Sequence, residues 1–285
     1  MQSQRENDQS LAPVSKLPLS AIFLVLPGEN ATLPQTLKRW ADLLSKRFSD
    51  FEMIGVRVDP KATCKPEESI PGPPEGSGYA IRWIPGVYSG PGSALRKAFE
   101  ICQHGLLFYT TGHPGMVQEK TFDRLRKTMD KAHLAGLCRV MRNYSFWMRM
   151  VHLGAGLFKR VLLSFPMGKI LGPQRLRERF PAWVADWVFG LKFHDPLLPF
   201  RFLRREILSN IPIQSEGNFC HLEIPAKANF AGLFLAEEEW QADDRELTRF
   251  NCQPDPWFFG DFSLVARKPS FRTDNPLPIE PGLGK

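Results

Sequence analysis

IFLVLPGENATLPQTLKRWADLLSKRFSDFEMIGVRVDP, running from Ile22 to Pro60, is the stretch whose reading decides the fold. Ile22 to Leu26 is wholly apolar and stops at Pro27-Gly28. That is the pattern of a strand buried on both faces, as in a parallel sheet. Leu33, Leu37, Trp40, Leu44 and Phe48 then recur at helical spacing, with Pro34 near the start, where proline is tolerated. Glu52 to Val58 reads as a second strand, closed by Asp59-Pro60.

The same alternation continues outward. A Pro/Gly-rich loop reaches Gly78, and Tyr79 to Pro85 predicts a third strand. Gly90-Pro91-Gly92 leads into a helix over 93–104, and Leu106 to Thr110 is a fourth strand that ends in Thr111-Gly-His-Pro-Gly115. Phe122, Leu125, Met129 and Ala132 share one face of another helix, and Leu134 to Met141 fits a fifth strand. Strands alternating with helices predict an α/β fold with a mostly parallel sheet covered on both faces. Ligands of such sheets bind beyond the carboxyl ends of the strands. The candidate site residues are therefore Pro27 to Asn30, Arg57 to Asp59 and Thr110 to His113.

The chain of 285 residues is long enough for one large domain or a domain plus an appendage, and its net charge of +7 favours anionic partners. Five scattered cysteines, none at CxxC spacing, indicate neither a zinc framework nor a disulfide one, and a reducing cytosol follows. The polar N-terminus lacks the apolar core of a signal peptide, and no run of about 18 apolar residues predicts a membrane span. Residues 1–18 read as a disordered lead and the tail from Pro269 as loosely ordered.

Between Arg139 and Arg179 lie nine Lys or Arg and one acid, Glu178, interleaved with apolar and aromatic residues. Two readings stay open: a basic amphipathic helix lying on an anionic membrane surface, or a core helix with a solvated basic face. Phe146 and Trp147 would serve nucleic-acid binding, but no known motif focuses them. Trp257-Phe-Phe259 either packs back on the domain or touches a membrane.

Phe193 to Gly232 concentrates charge: His194-Asp195 before a proline, then Arg201, Arg204 and Arg205, then His221 and Glu223. Arginines flanked by acids suit a phosphate-bearing substrate. Equally, the arginines are solvated, Glu223 pairs with one of them, and Asp195 caps a turn. Gly90-Pro-Gly92 has two of the three glycines of a dinucleotide fingerprint and fails at the third; as a tight loop at a helix start it still suits a phosphate.

The order of elements and several strings resemble the family 2 glycosyltransferases of the GT-A fold, of the dolichyl- or polyprenyl-phosphate sugar synthase type. The strings are Leu26-Pro27 with Leu33-Pro34, Phe51 to Val56, Gly90-x-Gly92-x-Ala-Leu-Arg96-x-Ala-Phe99 and Leu106 to Thr110. The most specific is Asp195-x-x-x-Pro-Phe-Arg-Phe-Leu-Arg-Arg205, followed by His221-x-Glu223 and Lys227-Ala228. The resemblance covers 19–240, with a donor half at 19–133, an acceptor half at 134–240 and a C-terminal extension at 241–285.

It implies transfer of a sugar from a nucleotide-sugar donor to a polyprenyl-phosphate or similar acceptor, peripheral on a membrane. It places Pro27, Glu29, Arg57, Asp59, Gly90, Gly92, Arg96, Thr111 and His113 around the donor. Arg201, Arg204, Arg205, His221 and Glu223 fall around the acceptor phosphate, and Asp195 beside the acceptor as the catalytic residue. The family's Mg²⁺ or Mn²⁺ is implied too, but its carboxylates are replaced: Thr111-Gly112-His113 stands where Asp-x-Asp is usual, and Arg57-Val58 where paired aspartates are usual. Hard cations prefer carboxylate oxygen, so no metal ligand is assigned. The alternatives are a metal-independent transferase that neutralises the leaving diphosphate with arginine, and a binding scaffold on the same fold without turnover.

Overall fold

A computed structural model describes residues 13–14, 17–29, 31–59, 80–139, 173–240 and 255–271. Most of the basic segment, the loop after Asp59 and most of both terminal segments lie outside the described residues, and so do the readings made of them.

The elements run β1 (Leu19–Val25), α1 (Leu33–Ser45), β2 (Phe51–Val58), β3 (Arg82–Tyr88), α2 (Pro91–Ile101), β4 (Leu106–Thr111), α3 (Glu119–Thr128) and β5 (Leu134–Arg139), then α4 (Pro173–Phe189), β6 (Arg201–Arg204), α5 (Cys220–Phe230), β7 (Leu235–Trp240) and α6 (Phe258–Arg267). Seven strands form one sheet in the order β3-β2-β1-β4-β6-β5-β7. Pairings are parallel except those of β6, which runs antiparallel to both β4 and β5. This is the mostly parallel, helix-flanked sheet that the GT-A resemblance implies.

Both faces are buried, as the unbroken apolar run of β1 requires. On one face Trp40 of α1 meets Phe108, Phe200 and Phe122 of α3, with ring centroids 5.2–6.0 Å apart. On the other, residues of α2, α4, α5 and α6 close over Ile22, Ile54 and Leu107.

Three elements differ from expectation. The third strand starts later, at Arg82, and runs through Pro85 to Tyr88. Proline, which lacks a donor, is tolerated there because β3 is the sheet edge and its register shifts between Gly55 and Arg57. Glu237 to Glu239, for which the sequence predicts no element, lie inside β7, also an edge, where charged side chains suit a strand. The segment with His221 and Glu223 is a helix with Pro225 inside it, buried from Cys220 to Ala228.

Candidate active site

The parallel strands exit on one edge, and there Leu26, Pro27, Arg57, Asp59 and Val87 line a small open depression. Gly28 makes the turn out of β1 with φ +91°, a conformation that suits glycine. The turn directs Glu29 back into the protein. Its carboxylate accepts from Leu26 N at 3.0 Å and lies against Gly112. A Cβ on Gly112 would sit 3.0 Å from Glu29 Oε2 and 2.8 Å from Leu33 Cδ1, so the close approach needs glycine. Burial raises the Glu29 carboxyl to about 7 against the opposing effect of backbone N–H groups from Leu26 and Gly112. Arg57 and Asp59 are both buried, and Asp59 N donates to Tyr88 O at 2.8 Å.

At the β4 exit Thr111 is buried, and His113 uses Nδ1 to accept from Gly115 N at 3.1 Å. A hydroxyl and an imidazole already engaged in a turn do not fit Mg²⁺ or Mn²⁺, which take oxygen ligands, chiefly carboxylates.

The start of α2, expected to meet a phosphate, meets protein. Gly92 N donates to Glu216 O at 3.0 Å. A Cβ on Gly90 would fall 2.1 Å from Glu216 O, and one on Gly92 would fall 2.0 Å from Ser215 O. Both glycines therefore admit the loop 214–218. Arg96 donates to Ser215 O at 2.7 Å and pairs with the Glu216 carboxylate.

That loop is held by three carboxylates. Glu223 accepts from Gln214 N and Ser215 N at 2.7 and 2.9 Å, and from the Ser215 hydroxyl. Asp261 accepts from Glu216 N and Gly217 N at 3.2 and 2.8 Å, and Asp255 from Asn218 N at 2.7 Å. Burial raises both aspartates above the usual carboxylate range. Glu223 also pairs at 2.6 Å with buried Lys227, which donates to Pro212 O. Placed near the acceptor by resemblance, Glu223 is thus occupied in holding its own loop.

The arginine cluster divides. In β6 successive side chains alternate faces at about 3.3 Å per residue. Arg204 lies on the opposite face and opposite edge from Arg201. It reaches Met129 O at 3.1 Å and Ala132 O at 3.5 Å at the end of α3. Arg205 starts a short 3-10 turn, its N–H on Gly105 O at 2.8 Å at the entry of β4. Neither lies with Arg201, although three arginines within five positions suggest one phosphate site.

Arg201 sits at the exit edge and is 1% exposed. Direct pairings make a rung across four strands: Tyr109 with Arg201, Arg201 with Gly136, Gly136 with Glu237. Paired residues share a face. The guanidinium lies beside Gly136, where an added Cβ would stand at ordinary contact distance, 3.7 Å from Cζ and Nη1. Arg201 donates to Pro196 O, and its guanidinium stands 5.4 Å over the Phe193 ring. The turn carrying Asp195 thus wraps this cation. Arg201 Nε and Nη1 and the Tyr109 hydroxyl have no hydrogen-bond partner among the described residues. His221 stacks on Tyr109 with centroids 5.6 Å apart. Burial, then the Arg201 charge, lowers His221 to about 3 and keeps it neutral. Asp195 itself is buried, its N–H 3.3 Å from the Glu237 carboxylate.

No protein-family model matches the chain, and no curated protein matches it. Among solved structures it is similar to glucosyl-3-phosphoglycerate synthase from Mycobacterium tuberculosis in complex with phosphoglyceric acid, at 14% identity and TM-score 0.49, over 88% of this chain and 80% of that one. It is similar also to mannosyl-3-phosphoglycerate synthase from Rubrobacter xylanophilus, at 16% identity and TM-score 0.45, over 82% of this chain and 70% of that one. Likenesses this distant assign no function, and the fold stands on its own strand order.

Tyr109, Asp255, Asp261 and Glu237 escaped the sequence reading. Tyr109 sits in an apolar run that reads as core, and the acids reach the loop 214–218 and the Arg201 rung only through long-range packing.

Proposed function

We propose that the chain is a glycosyltransferase that moves a sugar from a nucleotide donor to a phosphate-bearing acceptor, with arginine rather than a metal ion balancing the phosphate charge. The observation that carries this reading is Arg201: a guanidinium almost wholly buried at the strand-exit edge, with two nitrogens and the adjacent Tyr109 hydroxyl unpartnered among the described residues. Buried charges are costly unless paired, so the arrangement suits a ligand that brings an anion. Arg57 and Asp59, in the depression at the β1 and β2 exits, suit the nucleotide end.

In the transfer an acceptor oxygen attacks the anomeric carbon, the carbon–oxygen bond to the diphosphate breaks, and the nucleoside diphosphate leaves with the bond electrons. A hydroxyl acceptor must lose a proton, which Asp195 would take as general base. A lipid-phosphate acceptor is already anionic near neutral pH, and Asp195 would then position rather than deprotonate. No helix among the described residues is long and apolar enough to cross a membrane. Trp183 and Trp187, with tilted rings 4.9 Å apart and about half exposed on α4, follow the basic stretch in sequence and suit peripheral attachment to an anionic surface.

A scaffold on the same fold is the second reading. It is favoured by the internal engagement of Arg96, Gly90, Gly92 and Glu223, and by the poor fit of Thr111 and His113 to a metal. Calorimetry with UDP- and GDP-sugars, with and without Mn²⁺, tests donor binding; Arg57→Ala and Arg201→Met should each weaken it at least about tenfold, the scale of one charge-assisted contact. Absence of binding to every donor refutes the transferase reading. Release of nucleoside diphosphate when polyprenyl phosphate in anionic vesicles is added separates enzyme from scaffold. Flotation with the same vesicles tests attachment: protein that stays at the bottom counts against it.

A further inference from the structure

At the exit edge of β5 and β7 a second group of side chains converges on the far side of the Arg201 rung. Cys138 is two residues beyond Gly136 in β5 and so on the same face. Glu237 pairs directly with Gly136 from β7. His194 comes in from the loop before β6. One ligand atom from each of Cys138, His194 and Glu237 lies within 4.8 Å of the other two. The scattered cysteines gave no zinc pattern in sequence, because the three donors come from three separate stretches that only the sheet brings together.

We infer that Cys138, His194 and Glu237 form a zinc-class metal site with one open coordination position. Sulfur, imidazole and carboxylate together are the donor set of a borderline-soft ion, not of Mg²⁺ or Ca²⁺. Three protein ligands leave a tetrahedral ion one position for water or substrate. The geometry is partly set. Glu237 is fixed by accepting from His194 N at 3.1 Å and from Asp195 N at 3.3 Å, with His194 Nδ1 at 2.8 Å. Cys138 is buried and held by the strand, whereas the His194 side chain is 75% exposed and able to turn onto an incoming ion. Entry is therefore from the solvent side. An ion here would clamp the turn that carries Asp195 to the sheet edge. It would also place positive charge beside the rung that holds Arg201, on the opposite flank of β4 from the donor depression. This site stands independently of the transferase reading.

The test uses the full chain after chelator treatment and dialysis. Zinc uptake, read by plasma mass spectrometry, should approach one equivalent. Co²⁺ titration should give the thiolate-to-cobalt charge-transfer band of a Cys ligand. Cys138→Ser should abolish the band and Glu237→Gln should weaken binding at least about tenfold, while Cys220→Ser, at a buried thiol elsewhere, should leave both unchanged. Zinc should raise the melting temperature of the wild-type chain and not of His194→Ala, whose exposed side chain makes that variant safe to fold. Less than about a tenth of an equivalent of zinc, or cobalt binding in Cys138→Ser equal to wild type, overturns the site. Glu237 would then serve only to cap the turn at His194 and Asp195. Because zinc and cobalt are the probes, failure to bind any nucleotide sugar leaves this result unaffected.

Discussion

Replacing Glu29 with Gln should change how stability depends on pH. The carboxyl is buried, and its pKa rises from an ordinary 4.5 to about 7 in the folded chain. A group whose folded pKa lies above its unfolded one favours the folded state most at low pH. Its contribution is fully present below about 4.5 and is lost as pH rises to about 7. At about 1.4 kcal/mol for each pH unit between the two values, the folded state loses about 3 kcal/mol across that window. Gln keeps the shape and one acceptor oxygen for Leu26 N but cannot ionise. Urea unfolding followed by tryptophan fluorescence at intervals from pH 4.5 to 8 measures the difference. Wild-type stability should fall relative to Glu29→Gln across this range, with the curves separating by about 3 kcal/mol at the alkaline end. Two parallel curves would refute the claim that Glu29 is desolvated against Gly112. The same displacement means that this buried carboxyl, just past the exit of β1, exchanges its proton near neutral pH.

Other outcomes follow from the loop 214–218 and its partners. Glu223→Gln leaves Lys227 buried without its counterion and should cost about 3–5 kcal/mol, and Glu223→Gln with Lys227→Met should recover much of that; a single-variant loss under about 1 kcal/mol in urea unfolding would contradict the pairing. Gly92→Ala puts a methyl 2.0 Å from Ser215 O and should cost about 1–3 kcal/mol. It should also make the loop a site of limited proteolysis; an unchanged digestion pattern would show that the glycine is not needed there.

The α/β class and the first four strands were legible because parallel, doubly buried strands write continuous apolar runs, and α1 writes an apolar face from Leu33 to Phe48. β7 was not legible, since an edge strand carrying Glu237 to Glu239 has the composition of a surface loop. The helix at His221 hid for the opposite reason: buried all round, it has no polar face and so no helical period. The strand exits at Pro27, Arg57 and Asp59 were correctly located, because a sheet's polarity follows from its βαβ order. The arginine cluster misled. Adjacency in sequence looks like adjacency in space, but β6 runs antiparallel to its neighbours and sends Arg201 to one edge and Arg204 and Arg205 to the other. The glycines at 90 and 92 were recognised as a place of close approach; what approaches is the protein's own loop.

The clamp on that loop fixes an order of events during synthesis. Five successive amide groups, from Gln214 to Asn218, are held by Glu223, Asp261 and Asp255. Two of these acids, Asp255 and Asp261, follow β7 in the chain, in α6 and the turn before it. The sheet through β7 is complete once residue 240 has emerged from the ribosome, and it can form as a unit. The rim beside α2 can settle only after Asp261 follows. The clamp on the loop 214–218 is thus completed last, with α6 as its closing piece.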